Sequence, residues 1–106
     1  MASDQVRFVV AMRMGRAALG YNQHEFAELL GVSKSTVART ETLEMAMRAE
    51  TLMTMLRVLR ERGVELDLMT EEEVTVKLQP CALQEAFERL SDEEQRRSDR
   101  QRKPKV

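Results

Sequence analysis

Residues 22–41 read NQHEFAELLGVSKSTVARTE, and their spacing predicts two short helices joined by a glycine turn. Asn22 is a good N-cap for a helix over about Gln23–Leu30, in which Phe26, Leu29 and Leu30 fall at i, i+3 and i+4 and share one apolar face. Ala27 lies beside that face, where a second helix crossing closely needs a residue without bulk. Gly31 supplies the left-handed conformation that ends the first helix. Val32 is placed to bury in the corner, Ser33 to cap the next helix, and Val37 to pack back against the first. Lys34, Ser35, Thr36, Ala38 and Arg39 are left facing outward.

Those residues carry a resemblance. The stretch is similar to the Cro and phage-repressor (XRE-type) helix-turn-helix family at Gln23, Ala27, Gly31, Val32, Ser33, Val37 and Glu41, with Arg16 in register upstream, and the similarity extends over roughly residues 6 to 63. In that family the second helix enters the major groove and residues near its N-terminus touch base edges. The resemblance therefore implies Lys34, Ser35 and Arg39 as base readers, with Thr36 a weaker candidate. Lys and Arg suit guanine O6 and N7 because they are pure donors, whereas a serine hydroxyl serves several bases. It also implies Gln23 as a phosphate contact at a helix N-terminus, assisted by Asn22 and His24, and a framework salt bridge between Arg16 and Glu41.

Beyond Glu41 the chain departs from the family. The usual loop there is rich in Gly, Asn and Lys, but Thr42, Leu43, Glu44, Met45, Ala46, Met47 and Arg48 are more apolar and less basic. Arg48 is the one clear phosphate candidate in that loop, and Thr40 stands where a larger apolar residue usually packs under the recognition helix.

The remaining pattern extends outward from this core. Asp4–Leu19 reads as a first helix with Val6, Val9, Val10, Met12, Ala17 and Leu19 as most of its apolar surface. Leu52, Met55, Leu56 and Leu59 mark a helix from Arg48 or Ala49 to Arg62, with Gly63 as its cap. The period then changes: Val64, Leu66 and Leu68, and later Val74, Val76 and Leu78, alternate with polar residues on either side of Thr70–Glu72, the pattern of a β-hairpin ended by Pro80. An isolated hairpin is marginal in water, so its apolar face must be covered by the bundle, a later helix or, the favoured expectation, a second copy of the chain. Ala82–Leu90 reads as an amphipathic helix presenting Leu83, Ala86, Phe87 and Leu90. Ser91 and Glu94 have capping-box spacing, so a new or continuing helix enters the basic C-terminus and is expected to fray after about Arg97.

Composition bounds the function. At 106 residues and a formal net charge of −1, the chain has room for a compact helical core but not for a separate ligand-binding domain. Near-neutral charge is unusual for a nucleic-acid binder, yet the charge is unevenly placed. Acids dominate from Glu61 to Glu94, and Arg96, Arg97, Arg100, Arg102, Lys103 and Lys105 then face Asp99 alone. That basic end is expected to be a solvated tail, with approach to DNA or pairing with the acidic middle as the alternatives. A single cysteine, Cys81, excludes an intramolecular disulfide and fits a reducing compartment. The chain shows no signal-peptide pattern, no internal repeat and no apolar run near the ~20 residues that span a bilayer, so a cytoplasmic location without membrane contact is expected.

Chemistry-bearing residues are sparse. His24 is the sole histidine, with no histidine or cysteine beside it to form a metal site or a nucleophile–base pair. The Glu71–Glu73 run lacks the spacing of a calcium loop and reads as a solvated turn. Met12, Met14, Met45, Met47, Met53 and Met55 read mostly as core filling, with Met45 and Met47 as candidates for a subunit contact. No enzyme, cofactor or metal is expected.

The expected fold is mainly α: a repressor-like orthogonal helical bundle over residues 1–63, then a β-hairpin and C-terminal helix over 64–95 that serve dimerisation, then a basic flexible tail over 96–106. Dimerisation is expected to use Val64, Leu66, Leu68, Val74, Val76, Leu78, Leu83 and Phe87. The resemblance implies a sequence-specific transcriptional regulator, a homodimeric autorepressor on a palindromic site in double-stranded DNA. The alternative is an antitoxin-like module that wraps a second protein with residues 64–106 and regulates its own synthesis through its DNA-binding half.

Overall fold

A computed structural model describes residues 3–68 and 72–102, with side-chain surroundings as far as Asp92. In chain order the elements are α1 (Asp4–Leu19), α2 (Gln23–Leu30), α3 (Lys34–Glu41), α4 (Ala49–Glu61), β1 (Val64–Asp67), β2 (Thr75–Leu78) and α5 (Pro80–Arg102). The first four helices form the bundle, α2 and α3 make the bihelical unit, and the hairpin and α5 close over one side of α1.

The ends of these helices follow from their capping residues. Ser3 accepts the Val6 N–H at 3.3 Å to start α1. A complete capping box starts α2: the Asn22 side chain accepts the Glu25 N–H at 2.7 Å, and the Glu25 carboxylate accepts the Asn22 N–H at 3.0 Å. Gly31, at φ 74°, ends α2 with its N–H and that of Val32 turned back to Glu28 and Ala27. Nothing crowds a Cβ at Gly31, so conformation alone demands glycine there. Ser33 then accepts the Thr36 N–H at 3.0 Å and opens α3.

One core holds the bundle together. Phe26 from α2, Met12 and Leu19 from α1, Val37 from α3, and Met55 and Leu59 from α4 are fully buried, as is Val64 at the start of β1. Each such side chain contributes about 1.5–3 kcal/mol of burial. Val10 and Ala17, expected on the apolar face of α1, are instead exposed, and Ala11 and Gly15 take the buried positions.

The hairpin pairs antiparallel with Val64 opposite Leu78 and Leu66 opposite Val76. Leu68 and Val74 lie just outside the paired strands, and the turn residues 69–71, Thr70 and Glu71 among them, fall outside the described part of the chain. Of the covers expected for the hairpin, the bundle and the later helix are both present: α1, α4 and α5 of the same chain pack on it. Val64 is completely buried and so has no surface to offer a partner, while Leu66, Leu68, Val74, Val76 and Leu78 are half-buried against the core. The Arg7 guanidinium of α1 reinforces this docking by donating to the Leu68 carbonyl.

Helix α5 is one continuous helix from Pro80 to Arg102, the continuing helix of the two alternatives for the start of the basic C-terminus. Lys103 and Lys105 lie outside the described residues. Met47 is 5% exposed and belongs to the core rather than to a subunit contact, whereas Met53, grouped with the core methionines, is exposed. Gln5 of α1 explains Met47: its carbonyl oxygen accepts the Met47 N–H at 2.7 Å and pins the loop before α4.

Candidate nucleic-acid interface

Helix α3 presents a short polar face. Lys34, Ser35 and Arg39 are exposed, with Ser35 and Arg39 one turn apart, while Val37 and Thr40 are buried beneath. The buried Thr40 hydroxyl is satisfied by donating to the Thr36 carbonyl at 2.7 Å, which lets this small polar residue serve under α3. Thr36 is half-buried and its hydroxyl sits 2.8 Å from that of Ser33, so it serves the helix cap first and is less free to read a base than its neighbours.

The electrostatics of this face depend on an ion pair below it. Glu41, the one carboxylate of α3, is 4% exposed and receives two charge-assisted bonds from Arg16, Nε to Oε2 at 2.7 Å and an Nη to Oε1 at 2.9 Å. The pair ties the end of α3 to α1, and Arg16 also donates to the Tyr21 carbonyl at 3.1 Å. With Glu41 paired inside, the exposed charge that α3 contributes comes from Lys34 and Arg39. That sign suits a phosphate-bearing polymer.

The candidate phosphate contacts occupy different surroundings. Gln23, at the first position of α2, donates one amide hydrogen to Glu41 Oε1 at 3.1 Å. A carboxamide carries two donors, so the second remains for an anion while the first orients the side chain. His24 sits 2.8 Å from Glu28 one turn along the exposed face. Asn22 is committed to the capping box and lines a cleft whose charged residues are Arg16, Glu25, Glu85, Glu88, Arg89 and Asp92. Arg48 is exposed at the N-cap of α4 and commits no side-chain bond to the cap. The loop from Thr42 to Arg48 that leads to it turns at Leu43, which has φ 64° and is half exposed.

No local pattern in the sequence announces what anchors α5. Arg89 lies 4.2 Å over the Tyr21 ring and donates to Glu25, the same carboxylate that closes the α2 capping box. Tyr21 donates its hydroxyl to Glu85 at 2.8 Å. Burial, then the hydrogen bond to Glu85 and its charge, push the Tyr21 phenol above its ordinary value of 10.0. The bond to Glu25 similarly raises Arg89 and keeps it charged. This latch joins the C-terminal helix to the start of α2, between residues 64 positions apart in the chain. Only the tertiary structure brings them together.

Among the described residues no cluster of His, Cys, Asp and Glu is arranged to hold a metal ion, and no helix is long and apolar enough to cross a membrane.

The family model described as helix-turn-helix matches residues 12–66, from the middle of α1 to β1, and so spans the bihelical unit and the core beneath it. No significant match is found among curated proteins or solved structures.

Proposed function

The chain belongs to the Cro and phage-repressor-like helix-turn-helix family of DNA-binding transcriptional regulators, and from that premise we propose that it is a sequence-specific, dimeric repressor acting on a palindromic operator. The observation that carries this reading is the face of α3: Lys34, Ser35 and Arg39 stand exposed on a helix held by the Arg16–Glu41 pair, with the helix's own carboxylate withdrawn.

In this reading α3 enters the major groove and Arg39 and Lys34 donate to guanine edges, while Ser35 adapts to its neighbour. Gln23 and Arg48 hold flanking phosphates and fix the register. His24 assists from the first turn of α2. One recognition helix reads only a few base pairs, so useful specificity calls for a second copy and a two-fold symmetric site. Repression is steric, by occupation of promoter DNA, and the promoter of the chain's own gene is the first target.

Selection of bound duplexes from a random pool tests the proposal. An enriched inverted repeat is expected, with each half-site a few base pairs long. Enrichment of nothing, or of an asymmetric single half-site, contradicts sequence-specific dimeric binding.

A further inference from the structure

The path of α5 across the bundle is fixed at three points. Its first turn packs against Gly63, just past the end of α4, where Ala82 is fully buried. Further along, Glu85 and Arg89 hold Tyr21 and Glu25, and Arg89 lies against Gly20. Asp92 then shares a cleft with Asn22, the cap of α2. The helix therefore runs from the end of α4 to the N-terminus of α2, and residues 93–102, about 15 Å of helix, continue beyond that point.

Those last turns carry a basic run. Residues 95–102 read QRRSDRQR, in which Arg96, Arg97, Arg100 and Arg102 stand against Asp99 alone. Two acids of the docked turns are already in use, since Glu85 accepts from Tyr21 at 2.8 Å and Glu88 from Gln84 at 3.1 Å. Asp92 and Glu93 stand four residues before Arg96 and Arg97, a spacing whose ion pairs are weak on an exposed helix. Asp99 is left for Arg100 and Arg102 together.

What the run adjoins indicates what it meets. Gln23, the proposed phosphate contact of α2, follows Asn22 in the chain, so a strand held by Gln23 passes close to where α5 reaches α2. Duplex DNA offers a regular row of phosphates to arginines spaced along a helix, and each contact is favoured by release of counterions. We propose that the basic end of α5 is a second DNA contact, in which Arg96, Arg97, Arg100 and Arg102 hold backbone phosphates on the strand that Gln23 meets. The proposal rests on the DNA-binding reading given above and adds to it a contact outside residues 12–66, which the family model matches. The contact contributes affinity and no base preference, because phosphates are common to all sequences.

Anisotropy titrations of the full chain against the selected duplex, over a range of salt concentrations, test this. A variant with Arg96, Arg97, Arg100 and Arg102 changed to Gln should bind roughly 10- to 100-fold more weakly at physiological salt, and the slope of log affinity against log salt should fall by about 2 or more. The ratio of affinities for the selected and a random duplex should stay as in wild type, which separates phosphate holding from base reading. Phosphate-ethylation interference should lose positions adjoining those lost in Gln23→Ala. Arg100→Gln with Arg102→Gln, a milder change to the helix, should show about half of the fall in slope. Arg57→Gln with Arg60→Gln removes two exposed charges from the C-terminal half of α4 and should leave slope and footprint unchanged. An unaltered slope in the α5 variants, or an equal fall in the α4 variant, would overturn the contact and leave the DNA-binding reading standing. A wild-type chain that binds no duplex at any salt concentration would remove the DNA-binding reading itself.

Discussion

The side chains proposed to meet DNA and those that support them are expected to fail in different ways. Arg39→Ala should cost about 1–3 kcal/mol on the preferred site and relax the preference at one position, because a bidentate donor is lost. Gln23→Ala should weaken binding to preferred and random duplexes alike, since phosphates are common to both. Titrations of both variants against both duplexes distinguish the roles, and equal losses everywhere would show the division to be wrong. Glu41→Ala acts on the fold. It leaves Arg16, which is largely enclosed, without its partner and frees the Gln23 amide, so a loss of about 3–5 kcal/mol in stability is expected from chemical denaturation. A midpoint equal to wild type would contradict the framework role.

Among the elements, the four bundle helices were legible in the sequence because their signals are local. Asn22, Gly31 and Ser33 act within one turn of where they stand, and the apolar spacing of Phe26, Leu29, Leu30 and Val37 needs no knowledge of the rest of the chain. The alternation of Val64, Leu66, Val76 and Leu78 likewise announced a hairpin. What covers that hairpin was not legible, since apolar alternation says that a face is buried and not by what. Helix α5 shows the same limit: its polar second half has no apolar period to read, and Arg89 meets Glu25, and Glu85 meets Tyr21, only in the folded chain. The docking of α5 has a pH signature. Tyr21 is the only tyrosine, so its ultraviolet titration reports this contact alone. Its folded value lies above 10.0, so the docked state favours the neutral phenol. The stability gained is complete below pH 10.0 and is lost as pH rises through the folded value. Glu85→Ala should move the titration back towards 10.0 without abolishing the part due to burial. An unchanged curve would show that Glu85 does not hold the phenol.

Across the whole molecule, near-neutral charge and a DNA-binding fold are reconciled by where the charges sit. Glu25 is engaged by Arg89 and Glu41 by Arg16, so two of the three acids of α2 and α3 are matched by cations of the same chain, and Glu28 meets the His24 imidazole. The proposed base reading by Lys34 and Arg39 rests on their exposure together with the family, since composition alone would make them an ordinary solvated face. Whether α3 reads sequence, and does not merely attract phosphate, is decided by the ratio of affinities for the selected duplex and for a random one. Fluorescence anisotropy at one fixed salt concentration gives that ratio. A value of about 1,000 or more is expected, falling sharply in Arg39→Ala. A ratio near one in the wild-type chain would refute base reading by α3.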